Sequence, residues 1–169
     1  MLKNVKVWTE RALLAVMASM LTIMVCLMLW QVFTRYALGV PALYTEETLR
    51  FLMIWMALLG AAYCFGAERH LALGLVPAML APGGQRVLYV FNALIVIVFA
   101  VVVLLLGGIK ASQSAMSQVS PIMQIPIGYV YLILPLSAVL TCLLQGVNLF
   151  LVLTGRKRTP FDATEVEEV

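Results

Sequence analysis

A few polar side chains, set where long apolar runs begin and end, carry the spacing that could do chemistry. Gln31 and Arg35 are four residues apart and so share one helical face. Glu46 and Glu47 stand just before the next apolar run, where carboxylates favour the positive end of a helix, and either can pair with Arg50. The chemistry within their reach is hydrogen bonding and ion pairing. Two readings fit: helix capping with snorkelling, or a fixed corner that joins two helices and faces a partner protein. His70, beside Glu68 and Arg69, suits a hydrogen-bonded interfacial histidine or a pH-sensitive one. Cys26, Cys64 and Cys142 lie in separate runs without paired spacing and read as small apolar packing residues. A lone histidine cannot supply both ligands of a bis-histidine haem, and no nucleophile–base pair, HExxH or Gly-rich phosphate loop occurs. Neither catalysis nor a resident cofactor or metal is expected.

The elements that must position these residues follow from composition. The chain has 169 residues, 63% of them hydrophobic and 11% charged. Soluble domains have about 45–50% apolar and about 25% charged residues, so lipid must be the solvent for most of this chain. That sets aside nucleic-acid binders, soluble enzymes and disordered tails. Charges then punctuate the sequence. Between Arg11 and Arg35 lie 23 uncharged residues, between Arg50 and Glu68 there are 17, and between Arg86 and Lys110 again 23. At 1.5 Å per residue, 23 residues cover roughly 34 Å, enough for a hydrocarbon core of about 30 Å. The shorter run reaches roughly 26 Å, and Arg50 and Arg69 can snorkel at its ends. Residues 127–154 form a further apolar run.

These observations predict an all-α integral membrane protein with four transmembrane helices, spanning about 12–34, 51–67, 87–109 and 127–154. Residues 1–155 form one four-helix membrane domain and 156–169 a charged tail. Between the second and third helices, Leu71, Leu75, Val76, Met79 and Leu80 share a face of the segment from His70 to Pro82, which is too short to span and reads as interfacial. Before the fourth helix, Ala111–Gln124 is rich in Ser and Gln and reads as a polar connection ended by Pro121 and Pro126. Pro126 suits the first turn of the fourth helix, and Pro135 should kink it. Small residues in the second helix, among them Ala57, Gly60, Ala62 and Gly66, permit close helix packing, inside the unit or against a partner. Met17, Met20, Met24 and Met28 trace one face of the first helix as adaptable packing.

Four spans place both termini on the side of the middle connection. That side holds eight basic residues (Lys3, Lys6, Arg11, Arg69, Arg86, Arg156, Lys157, Arg158) against three on the other (Arg35, Arg50, Lys110). The positive-inside rule puts both termini in the cytoplasm. Trp30, Tyr36, Tyr44, Tyr129 and Tyr131 then form an aromatic belt at the outer interface. No charge falls in the middle of any expected span, whereas a self-contained proton-coupled carrier needs one.

The run Gln31-Val32-Phe33-Thr34-Arg35-Tyr36, followed by Glu46-Glu47-Thr48-Leu49-Arg50, Trp55, Leu59-Gly60-Ala61-Ala62 and His70, resembles the small membrane subunit (DctQ-like small permease) of tripartite ATP-independent periplasmic (TRAP) transporters. Ile125-Pro126-Ile127-Gly128-Tyr129-Val130-Tyr131, with Pro135 beyond it, looks like that family's fourth-helix signature. The resemblance covers roughly residues 10 to 155. Tyr44 stands where the family often has Trp, and Gly74 where it often has an acidic residue. What the resemblance implies is a subunit of a bacterial inner-membrane transporter for an organic acid such as a dicarboxylate or sialic acid. A periplasmic binding protein would capture the substrate, and a large membrane subunit would carry it, driven by sodium bound there and not in this chain. This chain would brace the large subunit and help dock the binding protein. The contact candidates are Gln31, Arg35, Tyr36, Tyr44, Glu46, Glu47, Arg50, Trp55, His70, Pro126, Gly128, Tyr129 and Tyr131, with the Ser/Gln stretch beside them.

Two other readings compete. A small autonomous four-helix exporter acting as a dimer would need a titratable group inside a span. A membrane-anchored redox or quinone subunit would need further His or Cys ligands.

Overall fold

The computed structural model describes residues 2–40, 42–67 and 82–155, and every regular element in them is helical apart from one isolated β-bridge. Four helices are long and apolar enough to cross a membrane. α1 runs Leu2–Ala37 and α2 runs Leu43–Gly66. α3 is continuous from Pro82 but changes pitch: it is α-helical over Pro82–Phe99, a π-helix over Ala100–Gly107, and α-helical again over Gly108–Ala115. α4 comes in two pieces, Ile127–Tyr131 and Ile133–Leu153.

The helices overrun the expected spans, α1 beginning at Leu2 instead of near residue 12 and α3 at Pro82 instead of near residue 87, and three further differences have a local reason. α2 begins eight residues before the expected span, because Ala42 and the Thr45 hydroxyl, bonded to the Ala42 carbonyl at 2.6 Å, already form its first turn. Glu46 and Glu47 therefore lie inside α2 instead of preceding it, at its positive end. α3 continues five residues past Lys110, since nothing before Met116 breaks it. Pro126 sits one position before the fourth helix, at φ −58° and ψ 123°, instead of in its first turn. The amphipathic segment expected over 70–82, with His70, and the charged tail 156–169 lie outside the described residues, apart from Pro82, which opens α3.

The break in α4 falls at Leu132, three residues before Pro135. A proline ring clashes with the carbonyl four residues back, here Tyr131, and offers it no N–H. The kink expected at Pro135 is accordingly expressed one turn earlier.

The helices form an open row and not a closed four-cornered bundle. α1 packs along α2, α2 along α4, and α4 along α3, while α1 touches α4 only locally. α3 makes no extended contact with α1 or α2 among the described residues. α4 is consequently the central element: 39% of its most apolar stretch is buried, against 11% for α1. Leu13 and Met20 of α1, Leu59 of α2, and Ile133 and Leu144 of α4 form the main core, with Met17 and Trp55 packed against it. Tyr89 of α3 and Val152 of α4 form a smaller cluster at the end where the chain termini lie. The methionine face of α1 turns inward at Met17, Met20 and Met24 and emerges at Met28, which is exposed. Of the small residues in α2, Ala62 and Gly66 are buried while Ala57, Ala61 and Cys64 are exposed.

Candidate functional site

At the hairpin end of the molecule, where α1 turns into α2 and α3 into α4, most of the contact candidates lie together; Trp55 lies deeper along α2, and His70 is outside the described residues. Glu47 is buried, with 7% exposure, and its Oε2 accepts the backbone N–H of Met123 at 2.7 Å. Thr48 reaches the same residue, its Oγ1 lying 3.4 Å from the Met123 Sδ while donating to the Tyr44 carbonyl at 2.8 Å. A carboxylate bonded to a backbone amide makes one of the stronger protein hydrogen bonds. It fastens the α3–α4 loop onto the start of α2.

The loop is folded enough to be held this way. Val119 and Pro126 form an isolated antiparallel bridge, Ser120 N–H bonds the Ile125 carbonyl at 2.9 Å, and Ile127 N–H bonds the Gln118 carbonyl at 2.9 Å. Gln124, at φ 55°, makes the reversal in the left-handed region. Behind the loop, Ser112 of α3 donates to the Gly128 carbonyl at 2.8 Å. The approach is so close that a Cβ on Gly128 would stand 2.6 Å from the Ser112 carbonyl oxygen and 2.7 Å from the Met116 sulfur.

The ion pair of this corner lies within α2: Glu46 and Arg50 are 3.6 Å apart and exposed, an arrangement that contributes little to stability. Glu47 is committed to the loop, and Arg35 makes no ion pair among the described residues. The link between α1 and α2 is instead aromatic, the Trp30 indole N–H donating to the Tyr44 hydroxyl at 3.0 Å. Gln31, Arg35, Gly39 and Glu46 line an open cleft of about 450 Å³ between these helix ends. An apolar cleft of about 350 Å³ lies beside it, walled by Leu38, Val40, Leu43, Tyr44 and Ile122. Tyr36 and Tyr129 are exposed, at 80% and 55%, whereas Pro126 and Tyr131 are half-buried. Trp55 lies deeper, where its indole donates to the Val130 carbonyl at 3.1 Å, one residue before the carbonyl that Pro135 leaves without an amide.

A second polar assembly, at the terminal end, was not singled out from the sequence. Asn148 is fully buried; it donates to the Gly66 carbonyl at 2.8 Å and accepts from the Lys6 ammonium at 2.6 Å. Lys6 also pairs with Glu10 at 3.4 Å. Gly66 lets α4 come close, since a Cβ there would stand 2.6 Å from Leu144 Cδ1. Ser137, Thr141, Gln145 and Asn148 are each about 1% exposed or less and lie at intervals of four, four and three along α4. That helical period in an apolar run was the available signal. It is overlooked when the search is for charge. Arg86 of α3 closes the assembly by donating to the Val152 and Leu153 carbonyls at 3.0 and 2.7 Å, where α4 ends.

Chemically, both assemblies join helices. No group of three or more His, Cys, Asp or Glu placed to hold a metal ion occurs among the described residues. Glu47 to Met123, Trp30 to Tyr44, Asn148 to Gly66 and Lys6, and Arg86 to Val152 and Leu153 each tie separate elements of this chain, and Arg35, Glu46 and Arg50 stay exposed at the hairpin end.

The comparison with protein families matches residues 24–155 to the DctQ component of tripartite ATP-independent periplasmic transporters. A Haemophilus influenzae protein assigned as a TRAP transporter small permease is 27% identical over 131 residues, covering 78% of this chain and 81% of that protein.

Proposed function

We propose a role that follows from membership: the chain belongs to the DctQ component family of tripartite ATP-independent periplasmic transporters, and within that assembly it serves as a non-catalytic brace. It is a small TRAP permease component and a multi-pass membrane protein. Its proposed task is to hold the large membrane subunit in place and to offer part of the surface on which the periplasmic binding protein docks. The large subunit moves an organic acid and holds the sodium that drives it. The basic residues gathered at the terminal end favour that end as cytoplasmic and the hairpin end as periplasmic, in a bacterial inner membrane.

The observation that carries this reading is the open row of helices. A self-contained carrier encloses its substrate path between helices around a site near the bilayer midplane. Here α1 and α3 stand apart on opposite sides of α2 and α4, and the buried Asn148 within the row is tied to α2 through Gly66 and to α1 through Lys6. Such a slab suits a wall against which a neighbour moves. Its periplasmic rim carries Arg35, Glu46 and Arg50, exposed and held on a loop-locked frame.

Co-expression tests the proposal directly. Tagged chain produced with the large subunit should co-purify with it in a fixed ratio, and chain produced alone should aggregate or be degraded. A stable, monodisperse and transport-competent chain on its own would overturn the brace and favour the autonomous exporter.

A further inference from the structure

At the terminal end, α3 and the last turn of α4 leave an open groove of about 430 Å³ between them. Its length is apolar, formed by Val87, Val90, Phe91, Leu94 and Leu153, and Arg86 stands at its mouth. Arg86 is not a free-swinging side chain. Its Nη2 is pinned by the Val152 and Leu153 carbonyls, which fixes the plane of the guanidinium. The fork carries five N–H donors, and those two bonds engage only one of its nitrogens. No carboxylate pairs with it among the described residues. The mouth of the groove is also the start of α3, where Gly83 and Gly84 bring bare backbone to the positive end of an 18-residue helix. A Cβ built on Gly83 would meet nothing within 4 Å, so the space above the backbone is open.

From this juxtaposition we propose that the groove is a binding site for one anionic phospholipid. The phosphate sits against Arg86 and the first turn of α3, and an acyl chain lies along Val90, Phe91 and Leu94. Charge complementarity selects this occupant over a neighbouring apolar helix. A helix would bury the fixed guanidinium against hydrocarbon, whereas a lipid answers the cation with a phosphate and the groove with a chain. The shape of Arg86, a planar fork held by carbonyls on one side, suits two oxygens of one phosphate on the other. The bound lipid would seal the junction between α3 and α4 at the terminal end.

The test uses the full chain in nanodiscs and, after release, native mass spectrometry with phosphatidylglycerol and phosphatidylcholine in equal amounts. The wild type should retain one phosphatidylglycerol with a preference of about fivefold, the ratio that ~1 kcal/mol per basic residue near the surface converts to. Leu94→Trp, which fills the groove and leaves the Arg86 bonds intact, should abolish retention of that lipid while leaving the melting temperature in phosphatidylcholine unchanged. Arg86→Gln should keep a lipid but lose most of the preference, because the positive charge that answers the phosphate is gone. Equal retention of the two lipids by the wild type overturns the site. So does undiminished phosphatidylglycerol retention by Leu94→Trp, or a stabilisation by inorganic phosphate alone that matches the lipid's. Failure of any lipid to bind, the result expected if a protein segment fills the groove, overturns it as well.

Discussion

The carboxylate of Glu47 accepts the Met123 backbone N–H at 2.7 Å across 76 residues of sequence, and so ties the first turns of α2 to the loop that joins α3 and α4. Arg35, across the adjacent cleft, makes no such bond among the described residues and stays exposed. Two charged residues that look equivalent in the sequence therefore differ, one bonded inside the chain and one left exposed.

Charge reversal separates the two. Glu47→Ala should destabilise the chain by about 1.5–3 kcal/mol, the range for hydrogen bonds to charged groups, and Glu47→Gln by less because an oxygen acceptor remains. Arg35→Glu should leave the melting temperature of the chain unchanged yet lower its co-purification with the large subunit. Thermal unfolding in detergent and pull-down yield, measured on the same preparations, check both. If neither Glu47→Lys nor Arg35→Glu lowers assembly or transport, the corner has no role in the complex.

The loop junction gives a second prediction. Gly128→Ala places a methyl group 2.6 Å from the Ser112 backbone oxygen, which cannot swing aside as a side chain would. The strain of overpacking should cost about 1–3 kcal/mol. Ser112→Ala removes only the hydroxyl bond to the Gly128 carbonyl and should cost about 1 kcal/mol. The order of the two melting temperatures is the check, with Gly128→Ala the lower.

The four spans were legible because charge in lipid is costly, so long uncharged runs stand out in the sequence, but the helix ends were not, since α1, α2 and α3 run past Arg11, Arg50 and Lys110. The Pro135 break was legible because a missing N–H acts locally. The row order of the helices was not. It depends on contacts such as Lys6 with Asn148, 142 residues apart, that no local spacing announces. Of the two carboxylates that could pair with Arg50, Glu46 does so, one helical turn away, whereas the Glu47 bond to Met123 was not legible, because Met123 is brought near only by the packing of α2 on α4 and the fold of the loop. The polar stripe of α4 was in view but masked by its apolar surroundings, since Ser, Thr, Gln and Asn carry no charge to draw attention.

That stripe supports a third prediction. Asn148→Leu keeps the number and branching of side-chain heavy atoms but removes the bonds to Gly66 and Lys6. Interhelical hydrogen bonds in membranes average about 0.6 kcal/mol, so a total loss of about 1 kcal/mol is expected. Gly66→Ala acts at the same crossing by pushing against Leu144, and its effect should exceed that of Asn148→Leu. Unfolding midpoints of the two variants check the order.

Trp55 and Pro135 should be energetically coupled. Trp55→Phe removes the indole donor from the Val130 carbonyl at the break in α4. In a Pro135→Ala background the helix can run through, the carbonyls near the break regain amide donors, and the same substitution should cost less. A double-mutant cycle should return a coupling of at least about 0.5 kcal/mol. Additive effects would mean that the indole does not serve the break.

On the proposed reading, this chain braces a transporter and does not itself transport. Uptake of a labelled organic acid into proteoliposomes under a sodium gradient, with the matching binding protein added, tests it most directly. Vesicles holding both membrane subunits should accumulate the acid, while vesicles holding this chain alone, or the large subunit alone, should not. Sodium-dependent accumulation by vesicles that contain only this chain would contradict the account.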